Sequence, residues 1–243
     1  MVTKNRLFLA LLLSFAASCG GFKYKISDAL LADVPMSEKQ AILNVKDEQA
    51  QLKQLGDKAQ SDLNIAKRDL EAARAEYKIA KNDVDKVRAD VDLAKSTTDV
   101  NRIERANARL AVAELARSTA DTKLSWRGLR VDYAGQQIRV GAAQQRHAAA
   151  RYEQEKARLA AAKGKSPYRN FSLVQFDAQV SEAQAQLDKE RVQEDKLRQE
   201  IVQLEGRYQA EKQKLEAAQS GAPTQAVPPA PPLSSPSQPS PSP

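Results

Sequence analysis

Cysteine, aromatic residues and helix-breaking prolines are all scarce in this chain, and each shortage excludes something. The one cysteine among 243 residues, Cys19, rules out an internal disulfide framework. Aromatics at 5% are too few for the thick core of a compact α/β domain. Nine of the eleven prolines lie in 222–243, and none falls between Pro35 and Pro167. That long interval holds no residue that must break a helix. The only histidine, His147, lacks neighbouring cysteine or carboxylate ligands, so no metal site is expected. It reads as a helix-surface or seam residue beside Ala143 and Ala150. No glycine-rich phosphate loop and no alternating strand pattern occurs. Nothing here assigns a cofactor or a catalytic set. The chain reads as a non-enzyme, because thin paired helices offer no concave pocket in which reactive groups converge.

What is abundant is Ala, Gln, Lys, Arg and Glu, the composition of long helices. A seven-residue ruler laid on 103–159 puts Ile103, Leu110, Leu124, Val131, Ile138 and Leu159 at one seam position. The other seam position is mostly small, with Ala106, Ala113, Ala120, Ala134 and Ala148, so a partner helix can come close. A second stripe lies nearly opposite, through Ala108, Val112, Leu115, Thr119, Thr122, Trp126, Leu129, Tyr133, Gln136, Val140 and Ala143. A helix apolar on two opposite faces needs cover on both, so 103–159 is predicted to be the middle helix of a coiled-coil assembly.

The same ruler describes helices on either side. A first helix is predicted over about 38–95, opened by a Ser37–Gln40 capping box, with Ile42, Gln49, Gly56, Leu63, Leu70, Tyr77, Val84 and Val91 at one seam position and Val45, Leu52, Ala59, Ala66, Ala73, Ala80, Val87 and Ala94 at the other. Gly56 sits in that seam and is expected to cost about 1 kcal/mol relative to alanine. Ser96-Thr97-Thr98-Asp99 favours a turn, and the heptad frame slips there. The alternative is one unbroken helix of about 190 Å. The middle helix runs from about 99 to 163, and Gly164 to Asn170 is the clearest break. The third helix, about 173–219, opens on a Ser172–Gln175 capping box, with Phe171 and Phe176 placed for a hydrophobic staple. Glu190, Glu194 and Glu211 interrupt its seam, and Gly221 is placed to end it.

The predicted fold is all-α: an elongated antiparallel coiled coil of three long helices running up, down and up. Around a coiled-coil domain at 37–220 lie a signal peptide at 1–18, a tether at 19–36 and a disordered Pro/Ser-rich tail at 221–243. The tail carries no charge after Gly221 and has polyproline II character.

Net charge is +7, unevenly spread. Residues 123–170 hold 11 basic and 3 acidic side chains, whereas 171–243 hold 7 basic and 10 acidic. The common reading is a solvated basic face set against the third helix, with charge choosing the partner more than adding stability. The functional alternative is contact with anionic lipid headgroups or cell-wall polymer. Lys163, Lys165, Tyr168 and Arg169 cluster at the second break, where basic and aromatic side chains suit a membrane surface. No nucleic-acid partner is expected, because the few aromatics are not interleaved as a stacking platform.

The amino terminus carries an address. Lys4 and Arg6 precede an apolar run, Leu7 to Phe15, and then Ala16-Ala17-Ser18-Cys19. That order is a secretory signal too short to span a bilayer. Ala16-Ala17-Ser18-Cys19 resembles the lipobox of bacterial lipoproteins, although that family prefers Leu where Ala16 stands. The resemblance implies cleavage before Cys19, a diacylglycerol on its sulfur and acylation of its amine with a fatty acid such as palmitate. Gly20 stands where the inner-membrane retention signal of enterobacterial lipoproteins has Asp, so in a two-membrane envelope the resemblance implies an outer-membrane anchor facing the periplasm. Several acyl chains at about 0.8 kcal/mol per buried CH₂ hold far better than one.

Three functions fit these features: an anchored envelope spacer or interaction scaffold, an accessory coiled-coil component of an envelope transport or secretion complex, and an adaptor bound through its proline-rich tail. The second and third helices resemble the α-helical hairpin of periplasmic adaptor proteins, without the strand-rich domains those proteins also carry. A protein partner or self-association is expected, because an intramolecular bundle leaves Ile65, Ile79 and Leu93 on a further partial stripe.

Overall fold

The computed structural model describes residues 22–166 and 172–221. The expected signal peptide, Cys19, Tyr168, Arg169, Phe171 and the proline-rich tail lie outside the described residues. Among the described residues two 3-10 turns, Asp28–Leu31 and Met36–Lys39, precede three α-helices: α1, Gln40–Ser96; α2, Val100–Ala162; and α3, Leu173–Ser220. No strand occurs among the described residues. The all-α architecture is as expected, and the helix ends lie within two residues of those read from periodicity.

The chain divides into two units, Met1–Arg74 with Leu124–Leu204 and Ala75–Lys123 with Glu205–Pro243, and each draws on all three helices. In the first unit Glu48 pairs with Arg151 and Asp69 with Arg127, so α1 and α2 run antiparallel. Gln154 bonds Asp177 and Gln136 bonds Glu190, so α3 runs antiparallel to α2. In the second unit Glu76–Lys123, Arg88–Glu114 and Thr122–Glu211 keep the same order.

The two stripes of α2 face different partners. First-stripe residues Ile103, Ala106 and Leu110 pack on Val91 and Ala94 of α1. Second-stripe residues Val140 and Ala143 pack on Leu187 of α3. The acids in the α3 seam meet polar members of the second stripe. Gln136, 1% exposed, donates its Nε2 to the backbone oxygen and to the carboxylate of Glu190, both at 2.8 Å. Thr122 donates to Glu211 at 2.9 Å. Burial pushes the Tyr133 phenol above its ordinary range, and Glu194 beside it adds to the rise. An unmet polar group in this seam would cost about 1–3 kcal/mol, so these pairs favour one register. Gly56 has a local reason too. A Cβ there would stand 3.2 Å from Gln145 Nε2, the atom that donates to the Leu52 carbonyl.

The turn between α1 and α2 forms where the frame slips. Ser96 and Thr97 bond back to the carbonyls of Leu93 and Ala94, each at 2.7 Å. Thr98 takes φ 54°, and Asp99 caps α2 by accepting the Arg102 amide. The α2 end is a Schellman motif: Gly164 has φ 65°, its amide bonds Ala161 O, and the Lys165 amide bonds Ala160 O. Gly221, at φ 70°, ends α3 as expected.

Both predicted capping boxes fail to close. Ser37 lies inside the 3-10 turn that begins after Pro35, and the Gln40 amide donates forward to Asn44 rather than back. At α3 the Gln175 amide bonds the Ser172 carbonyl, while Gln175 Oε1 is buried with no hydrogen bond among the described residues. At α1 the 3-10 turn sets the backbone before the side chains can cap it.

Thr98 is β-branched and sits in the left-handed region, which costs such a residue about 1–2 kcal/mol. Glycine relieves that strain and adds chain entropy to the unfolded state. Thr98→Gly is therefore expected to raise stability by about 0.5–1 kcal/mol in urea unfolding, whereas Thr98→Pro, which cannot take positive φ, should lower it.

Candidate functional site

The segment before α1 was expected to be a tether; instead it is a strap docked on the α2–α3 junction. Its sequence supplies both halves of that behaviour. Ser27 to Leu31 closes one 3-10 turn through Leu30 N–H to Ser27 O, and Val34 N–H then bonds Leu31 O. Pro35 ends the run and starts the next turn by accepting from Glu38 N–H. The spacing of Ile26, Leu31 and Val34 directs all of them inward, at 2%, 4% and 6% exposure. They pack with Ile42, Ala157, Ala160 and Phe176 in one apolar cluster. Ala157 and Ala160 bring the strap close to the α2 backbone, because they carry only a methyl group. Phe176 is fully buried, with the Tyr24 ring tilted against it at 6.1 Å between centroids. Full burial of a large apolar side chain contributes about 1.5–3 kcal/mol, so Ile26, Leu31 and Val34 supply much of what offsets the entropy of ordering the strap.

A polar clasp adds direction. The Ile26 amide donates to Glu153 Oε2 at 2.7 Å, and the Tyr24 amide donates to Gln179 Oε1 at 3.0 Å. Gln179 Nε2 returns a bond to the Tyr24 carbonyl. Lys156 is buried between two carboxylates, Asp28 at 2.7 Å and Glu153 at 3.2 Å. Burial alone would lower the Lys156 ammonium, but the hydrogen bond it donates to Asp28 and the Glu153 charge outweigh it and hold it above the usual lysine range. Lys165 donates to the Leu30 carbonyl at 3.0 Å and pairs with Asp33. The hydrogen bond from Lys165 holds the Asp33 carboxyl below the usual carboxylate range.

Of the residues singled out as a membrane surface, Lys163 and Lys165 are brought together with the strap, Lys163 on Glu38 and Lys165 on Asp33. Tyr168 and Arg169, like the lipidation candidate Cys19, lie outside the described residues. The basic stretch is shared between the expected partner, α3, and two others. Arg146 and Arg158 reach Glu182 and Asp177 of α3 at 3.8 Å. Its closer cross-segment pairs run to α1 and the strap: Lys123–Glu76, Arg127–Asp69, Arg151–Glu48, Lys163–Glu38, Lys165–Asp33 and Lys156–Asp28. Block totals misled because 19–122 is neutral overall, yet its acids on the α2-facing side are the ones in reach.

His147 is half-buried in α2, where burial, with Arg151 beside it, lowers its imidazole. Glu153 and Lys156 were missed by sequence reading. The signal available was the apolar spacing of Ile26, Leu31 and Val34, which marks a segment with an inward face.

Among the described residues no helix is long and apolar enough to cross a membrane. Glu153→Gln weakens the acceptor for Ile26 and removes one of the two charges around Lys156. The expected loss is about 1–3 kcal/mol in strap docking, read from amide exchange of Ile26. Asp33 gives the pH dependence. Its lowered carboxyl contributes stability that is present above about pH 4 and lost as pH falls below it. The Ile26 ¹H–¹⁵N signal should therefore hold its docked position from neutral pH down to that range and shift below it, and Asp33→Asn should flatten the acid step. A comparison with family models, curated proteins and solved structures finds no match to this chain.

Proposed function

We propose that this chain is a membrane-anchored cell-envelope lipoprotein that serves as a structural spacer or protein-interaction scaffold, facing the periplasm from the outer membrane. The observation that carries the reading is the placement of the strap. Cys19, the last residue of the lipobox-like Ala16-Ala17-Ser18-Cys19, stands three residues before Phe22, where the described strap begins. At no more than about 3.6 Å per residue, a lipid on Cys19 lies within about 11 Å of Phe22. An anchor so close to a docked strap couples the bilayer directly to the α2–α3 junction rather than to a loose linker. The role is mechanical and binding, not catalytic. Exposed apolar side chains on α1 and α3, including Ile65 at 46%, Leu93 at 57% and Val202 at 65%, supply contact surface for a partner.

Cys19→Ala should abolish labelling by an acyl-chain probe and move the protein from the membrane to the soluble fraction. Unchanged partition removes the lipoprotein reading. Orientation has its own readout. A fluorophore at Ser166, beside the strap, should be quenched by headgroup-labelled lipid in reconstituted vesicles. A fluorophore at Arg68 in the same unit, about 40 Å along α1 from the strap, should be quenched far less. Equal quenching at both sites contradicts the strap-side placement.

A further inference from the structure

The second unit contains a groove that α3 does not fill. Its walls are Ile79 and Ala80 of α1 and Val112 and Ala113 of α2, and Ala218 and Gln219 at the end of α3 close one end. The groove encloses about 650 Å³. Ile79 is 62% exposed there. Val112 belongs to the same α2 stripe that α3 covers elsewhere, so the groove is that lane beyond the last turn of α3.

The chain itself leaves from this groove. Gln219 lines it, Ser220 ends the helix, and Gly221 at φ 70° redirects the backbone. The sequence then continues from Ala222 to Pro243, uncharged and carrying nine prolines. Within it stands Val227-Pro-Pro-Ala230-Pro-Pro-Leu233. Polyproline II has 3 residues per turn, so in that conformation Val227, Ala230 and Leu233 would share one edge about 19 Å long. The α2 wall from Ala108 to Ala116 is about 12 Å long at 1.5 Å per residue, of the same order. A proline-rich segment is already stiff and loses little entropy on docking, and its attachment six residues away from Val227 gives an effective concentration of order mM.

We propose that the groove is the docking site of the chain's own tail, with Val227, Ala230 and Leu233 laid against Ile79 and Val112. The proposal holds whether or not Cys19 carries lipid. It makes the tail a built-in ligand, and any partner that takes the tail uncovers the groove.

The test uses the full-length chain with a photo-crosslinking amino acid in place of exposed Ile79. A second probe in place of Thr122, which bonds Glu211 of α3, shows that the photochemistry works. No Lys or Arg occurs after Lys214, so trypsin leaves any capture by the tail on Leu215–Pro243, where fragment ions locate the bond. The expected product joins position 79 to residues 227–233 of the same chain, with no mixed product when isotopically heavy and light copies are combined. Val227→Ser with Leu233→Ser should cut its yield about tenfold, in keeping with loss of two buried apolar side chains, while helicity stays constant. The proposal is overturned by capture of a second copy or another protein, by a yield the double substitution leaves unchanged, or by no capture at 79 while the Thr122 probe captures α3.

Discussion

A helix that is apolar along two opposite faces must be covered twice, and α2 is such a helix. One stripe takes α1 through Ile103, Ala106 and Leu110; the other takes α3 through Val140 and Ala143. The remaining structure is a consequence of that demand. Short connections at 97–99 and after Gly164 turn neighbouring segments back onto α2, and small residues in its seams let them approach closely. Apolar cover is permissive about register, since an alanine seam can slide. The polar pair Gln136 with Glu190 makes sliding costly, because a shifted register would strand the buried Gln136 amide, and the half-buried pair of Thr122 with Glu211 favours the same register.

The same helix decides what happens to the amino-terminal strap. Near its end, α2 offers Ala157 and Ala160, and the α3 start offers Phe176. That concave corner accepts Ile26, Leu31 and Val34. Charge then sorts the partners. The basic stretch of α2 gathers acids from α1 and from the strap, each exposed pair worth about 0.2–1 kcal/mol, so its effect lies in selecting the antiparallel arrangement rather than in strength. The buried Lys156 differs: with its two carboxylates it is costly to break and directional when made.

Long-range periodicity was readable from the sequence because each helix repeats its seam over many turns, so single exceptions do not erase the pattern. That is why the middle helix, its two covered faces and the turn at Ser96 to Asp99 were legible. Short elements gave no such averaging. Ser37 and Ser172 had the right side chains for capping boxes, yet Ser37 falls inside a 3-10 turn and Gln175 Oε1 makes no bond back to Ser172, which residue types alone do not encode. The strap was read as a tether because 17 or so residues without a repeat carry little pattern. Its partners, Glu153 and Lys156, lie more than a hundred residues downstream, and only the folded chain brings them to Ile26 and Asp28.

Residues 22–39 belong to the folded body and tie the start of α1 to the α2–α3 junction. Hydrogen–deuterium exchange of the full-length protein at neutral pH tests it most directly, with peptides resolved across 22–39 and 150–163. The account predicts that the Ile26 and Val34 amides exchange slowly, on the timescale of neighbouring α2 residues rather than at the rate of an unstructured chain. Exchange of 22–39 at the unstructured rate, while 150–163 stays protected, would contradict it.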